Sequence, residues 1–148
     1  MLKAIFNLKV LGLLILMGTL MSSCQKDKVE YQVRIQNDMS MDLLGIPFMK
    51  YYITDCTLGD RLFTDIAVGE YSDRVTVTSG TDYDCSLTVE VYTYNVNTFL
   101  WESAGIETFD MGTISWSDSE DYSNQKIKFQ IGDLLQLYNP VYTKYAEE

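Results

Sequence analysis

Hydrophobic and polar residues alternate with a period of two along much of this chain. Val29, Tyr31, Val33 and Ile35 alternate with Glu30, Gln32, Arg34 and Gln36. Tyr83, Cys85, Leu87, Val89 and Val91 alternate with Asp84, Ser86, Thr88 and Glu90, and Ile127, Phe129 and Ile131 with Lys126, Lys128 and Gln130. Successive side chains of a strand point to opposite faces, so this pattern predicts strands with one face in a core and one in water. Weaker strand patterns cover residues 39–46, 48–56, 61–66, 71–78, 99–103, 106–111 and 135–138. Polar, Gly- and Asn-containing turns separate them, at residues 37–38, 58–60, 68–70, 79–82, 95–98, 118–124 and 139–140. No amphipathic helix longer than two turns follows residue 24. Many short strands with polar turns indicate an all-β domain, an antiparallel β-sandwich, with an immunoglobulin-like arrangement as the first expectation. The tryptophan-between-cysteines signature of antibody domains is absent, since no Trp lies between Cys56 and Cys85.

The N-terminus follows a different pattern. Lys3 and Lys9 precede an apolar run from Val10 to Met21, broken only by Gly12, Gly18 and Thr19. As a helix the run would span roughly 18 Å, short of the roughly 30 Å hydrocarbon core of a bilayer. A positive start, a short apolar segment and small residues at its exit form a secretory signal, here a helix that is expected to be cleaved. The exit, Met21-Ser22-Ser23-Cys24, resembles the lipobox of bacterial lipoproteins. That resemblance implies cleavage before Cys24, a covalent lipid on Cys24 and attachment to a membrane. Two or more acyl chains hold a protein stably where one does not. Gln25-Lys26-Asp27-Lys28 is similar to the short export tag of surface-displayed outer-membrane lipoproteins, which implies display at the cell surface rather than facing the periplasm. The chain thus divides into a signal peptide at 1–23, an acylated cysteine and tether at 24–28, and one sandwich domain at 29–148. That domain looks like the small β-sandwich lipoproteins of unassigned function. A tether of five residues reaches at most about 17 Å, which places the domain almost on the bilayer.

Composition removes several functions. The 148 residues carry 11 Lys and Arg, 21 Asp and Glu and no His, for a net charge of −10. Without histidine there is no Ser-His-Asp or Cys-His centre and no His-ligated metal. So acidic a chain is not expected to bind nucleic acid, because phosphate contacts need clustered Lys and Arg. The expectation is a non-enzymatic protein. Cleavage before Cys24 would remove two lysines and no acid, so the exported chain is more acidic still.

Three groups of residues are candidate sites. Cys56 and Cys85 are a candidate disulfide, because export leads to an oxidising compartment. Asp118, Glu120, Asp121 and Asn124 share one loop of oxygen ligands that could hold Ca²⁺, although the spacing is not an EF-hand and a solvated loop is the simpler reading. Tyr92, Tyr94, Phe99 and Trp101 are expected on one face of a hairpin turning at residues 95–98, with Tyr94 opposite Phe99, Tyr92 opposite Trp101 and Glu90 beside them. If that face is open it suits a sugar ring or a protein partner, and if it is covered it is core. No cofactor is implied apart from the lipid. These features suggest an envelope lipoprotein binding a protein or glycan near the membrane. The alternatives are a structural or accessory subunit of an envelope complex, and a small acidic inhibitor or immunity-type protein.

Overall fold

A computed structural model describes residues 27–120 and 122–147. The lipobox and the signal, including Cys24, lie outside the described residues, as does Asp121. The domain is a β-sandwich of two packed sheets. The strands are β1 (Glu30–Asn37), β2 (Ser40–Leu43), β3 (Ile46–Leu58), β4 (Arg61–Ile66), β5 (Val75–Thr78), β6 (Asp82–Asn95), β7 (Leu100–Ser115), β8 (Asn124–Ile131) and β9 (Pro140–Glu147), with a 3₁₀ turn at Leu134–Gln136. One sheet runs β5-β1-β8-β9 and the other β2-β3-β6-β7, with β4 paired to β3. All pairs are antiparallel except β1 with β8, which run parallel.

The alternation selects the buried faces. Val33, Ile35, Ile127 and Phe129 of the first sheet are fully buried against Ile53, Leu58, Leu87 and Val89 of the second. Burying each such side chain contributes about 1.5–3 kcal/mol. A bulge in β3 at Thr54 shifts the inward set from Tyr51 and Ile53 to Cys56 and Leu58. The inserted residue changes which parity faces the core, and Thr54 Oγ1 donates to the Thr88 carbonyl at 3.1 Å.

One buried polar residue links the sheets. Asn37, at the end of β1, is fully buried. Its Nδ2 donates to the carbonyls of Tyr51 (2.9 Å) and Ile66 (2.8 Å), and its Oδ1 accepts from Met39 N (3.0 Å). All of its hydrogen-bonding groups are used, so its burial is compensated.

Three local expectations change. Residues 135–138 form no strand; they end a 3₁₀ turn capped by Asp133 Oδ1, and the last strand is β9 instead. Pro140 starts β9, a position where proline's missing N–H is tolerated. Residues 39–46 are split by a tight turn at Leu44-Gly45, and the two strands expected over 99–103 and 106–111 are one long strand, β7, which starts at Leu100 and has bulges near Ala104 and Met111.

Candidate functional site

The candidate face is the outer surface of the second sheet. In β6 the residues Cys85, Leu87, Val89 and Val91 point into the sandwich, so Glu90, Tyr92 and Tyr94 point out. Tyr92 pairs with Lys50 of β3 and Tyr94 with Trp101 of β7. Tyr94 and Trp101 meet edge to face, with ring centroids 5.4 Å apart. The Lys50 ammonium lies over the Trp101 ring at 4.4 Å and near the Tyr92 ring at 5.5 Å. Glu90 accepts from Tyr92 Oη and from Ser103 Oγ, both at 2.7 Å. These two bonds, Ser103 first, hold the Glu90 carboxyl below its usual range, and the same carboxylate pushes the Tyr92 phenol up. Tyr52 Oη donates to Asp65 at 3.3 Å. A depression of about 400 Å³ lies beside these rings, lined by Lys50, Tyr52, Ala67, Val68 and Tyr92.

The expected hairpin partners are corrected by two residues. Tyr94 faces Trp101 rather than Phe99, and Tyr92 faces Ser103 rather than Trp101. The loop spans residues 96–99 instead of 95–98. Asn95 sets it: its Oδ1 accepts from the Asn97 and Thr98 amides, and its carbonyl accepts from Phe99 N at 2.8 Å. The closing residue must turn left-handed, so Phe99 takes φ +57° and leaves the platform for the loop tip. Lys50, Tyr52 and Ser103 join the face through pairing across three strands. Their alternation in the sequence was visible, but their neighbours were not.

The other candidates lie elsewhere. Cys56 pairs with Leu87 and Leu58 with Cys85, so the cysteines are diagonal neighbours on adjacent strands. Both are buried free thiols, and the expected bridge is not formed in this structure. A hydrogen bond with Cys85 and burial push the Cys56 thiol far up, away from the reactive thiolate. Of the proposed calcium loop, Glu120 accepts from Lys144 Nζ (3.1 Å) and Ser117 N (3.3 Å), and Asn124 opens β8. Among the described residues no three His, Cys, Asp or Glu side chains gather as a metal site.

No protein family, curated protein or solved structure matches the chain.

Proposed function

We propose that this protein is a membrane-anchored envelope lipoprotein that holds a glycan on the outer face of its second sheet, without catalysing a reaction. The observation that supports this reading is that Tyr92, Tyr94 and Trp101 share the outward face of β6 and β7, half-buried, with the Lys50 ammonium over the rings. Aromatic rings beside a fixed carboxylate and hydroxyl offer a sugar both its stacking surface and its hydrogen bonds. Lys50 has no ion-pair partner among the described residues. A glycan with carboxylates would supply one. An immunoglobulin-like lineage for the sandwich belongs to the same proposal.

The test uses tryptophan emission. Trp116 is buried at 2% exposure, so a ligand on the open face should quench Trp101 selectively. We expect saturable quenching by a uronic-acid polysaccharide, weaker with a neutral glucan, and affinity reduced about thirtyfold in Trp101→Ala, the roughly 2 kcal/mol of a binding hot spot. No saturable quenching by either polymer, or unchanged affinity in the variant by calorimetry, would refute the glycan reading. Anchoring is checked separately: the intact mass of the exported chain should fit an acylated N-terminal Cys24, and Cys24→Ala should remain unprocessed.

A further inference from the structure

The turn that joins β8 to β9 is closed under constraint. Asp133 Oδ1 accepts from Gln136 N at 3.1 Å. Leu137 N donates to the Leu134 carbonyl at 3.1 Å, and Gly132 N to the Asn139 carbonyl at 2.8 Å. Two consecutive bulky residues are left-handed in it, Leu137 at φ +54° and Tyr138 at φ +59°. Such positions favour Gly, Asn or Asp. A Cβ at position 132 would lie 2.7 Å from the backbone oxygen of Asn139 and closer still to Gln136 Oε1, so the closed turn needs glycine there. The turn also holds three leucines in water: Leu134 is 67% exposed, Leu135 91% and Leu137 76%.

The strand beyond the turn is lightly held. β9 is an edge strand that pairs with β8 alone among the described residues. Of its eight residues only Pro140 is buried, and Thr143, Tyr145 and Ala146 are exposed. Its side chains reach the rest of the domain through the Tyr142 ring on Phe129, with centroids 6.3 Å apart, and through ion pairs. Lys144 meets Glu120 at 3.1 Å, and Glu147 meets Arg34 and Arg74, each at 2.7 Å.

We infer that β9 is exchanged between two copies of this chain: the turn straightens, and each copy lays its β9 beside β8 of the other. A second copy is the occupant because the register and ion pairs of the slot already match this sequence. Every contact between β8 and β9 is kept in the exchange, so the balance rests on the turn and on concentration. Straightening gives the turn's hydrogen bonds to water, including the one from Tyr51 Oη to the Tyr138 carbonyl at 3.0 Å. In return both left-handed residues are released. Pro140 favours an extended Asn139 before it, the conformation a straight connection needs. The two straightened connections meet at the two-fold axis, where the leucines of one copy cover those of the other. Short connections under strain invite this exchange.

The test is the mass of the full chain in detergent, by size-exclusion chromatography with light scattering. High salt is used so that two acidic copies do not repel. The expected result is a dimer whose share grows with concentration. Gly132→Ala obstructs the closed turn and not a straight one, and Leu137→Gly relieves the closed turn. The first should raise the dimer-to-monomer ratio about tenfold and the second lower it about tenfold. Exchange itself is read by a disulfide between chains. Lys128 pairs with Thr143 across β8 and β9. A Lys128→Cys chain refolded together with a Thr143→Cys chain should be joined at those two positions by oxidised glutathione, as mapped by mass spectrometry. In monomers the two cysteines lie on different molecules and are not held within bridging distance. Should Gly132→Ala fail to fold, the bridge and Leu137→Gly decide. A chain that stays monomeric at every concentration would overturn the inference. So would bridges that join like cysteines as often as unlike ones, or a dimer ratio that Leu137→Gly leaves unmoved or raises.

Discussion

The two outer faces of this sandwich are built from the same ingredients, aromatic rings and cations on alternating strand positions, and end in opposite states. On the first sheet every cation in the central cluster meets a carboxylate. Arg34 holds Glu147 at 2.7 Å, Arg74 holds the other oxygen at 2.7 Å, and Lys126 lies 3.9 Å away, while Lys128 meets Asp38 at 2.6 Å. Tyr71 packs under Arg34, 4.1 Å from its guanidinium to the ring centre. On the second sheet Lys50 rests on rings alone, and the carboxylate of Glu90 is engaged by hydroxyls. The first face is closed on itself by charge; the second keeps a cation and aromatic surface available. The difference teaches that charge pairing, and not aromatic content, decides whether such a strand face closes on itself.

Three measurements can break or sharpen this contrast. The largest effect belongs to the inward side of β6. Leu87 is fully buried, so Leu87→Ala should destabilise by about 2–5 kcal/mol in denaturant unfolding. A cost below about 1 kcal/mol would mean that the inner face is not the tightly packed one. An intermediate effect belongs to the closed outer face. Burial of Glu147 works to raise its carboxyl, but the bonds and charges of Arg34 and Arg74 outweigh it and hold the group below its ordinary value of 4.5. A depressed folded value means the stabilisation is whole above about pH 4.5 and fades as pH falls through the lowered value. Glu147→Gln should therefore cost about 1 kcal/mol at pH 7, with a difference that shrinks in acid. A pH-independent difference between the two proteins would show that the ion pairs do not hold this face. The smallest stability effect is expected on the open face. Trp101→Ala should lower stability by less than about 1 kcal/mol while weakening ligand binding, because the indole is covered by one ammonium and one ring edge. A loss of about 3–5 kcal/mol would make Trp101 a core residue and remove the contrast.

Much of the fold was legible because the strand period is local. Val33, Ile35, Leu87, Val89, Ile127 and Phe129 were placed on the inner face by alternation, and all are buried. β9 was missed because Asn139-Pro140 reads as a turn and the apolar residues of the strand are interleaved with Thr143, Lys144 and Ala146. The candidate face was half legible. Glu90, Tyr92, Tyr94 and Trp101 share a surface, yet their partners depended on where the hairpin turns. The Asn95 side chain fixes that position through two amide bonds, and a shift of one residue re-pairs every ring.

By itself the sequence determined the class of element and the side of each strand that is buried, because the period of side chains along an extended chain needs no distant neighbour. It also determined that the chain is acidic and lacks histidine, which excludes histidine-dependent centres whatever the fold. Tertiary structure decided the rest. It set Lys50 on Trp101 and brought Arg34 of β1, Arg74 of the segment before β5 and Glu147 of β9 together. Contacts between residues far apart in sequence follow from register, bulges and sheet order, and these are settled only when the two sheets close on a common core.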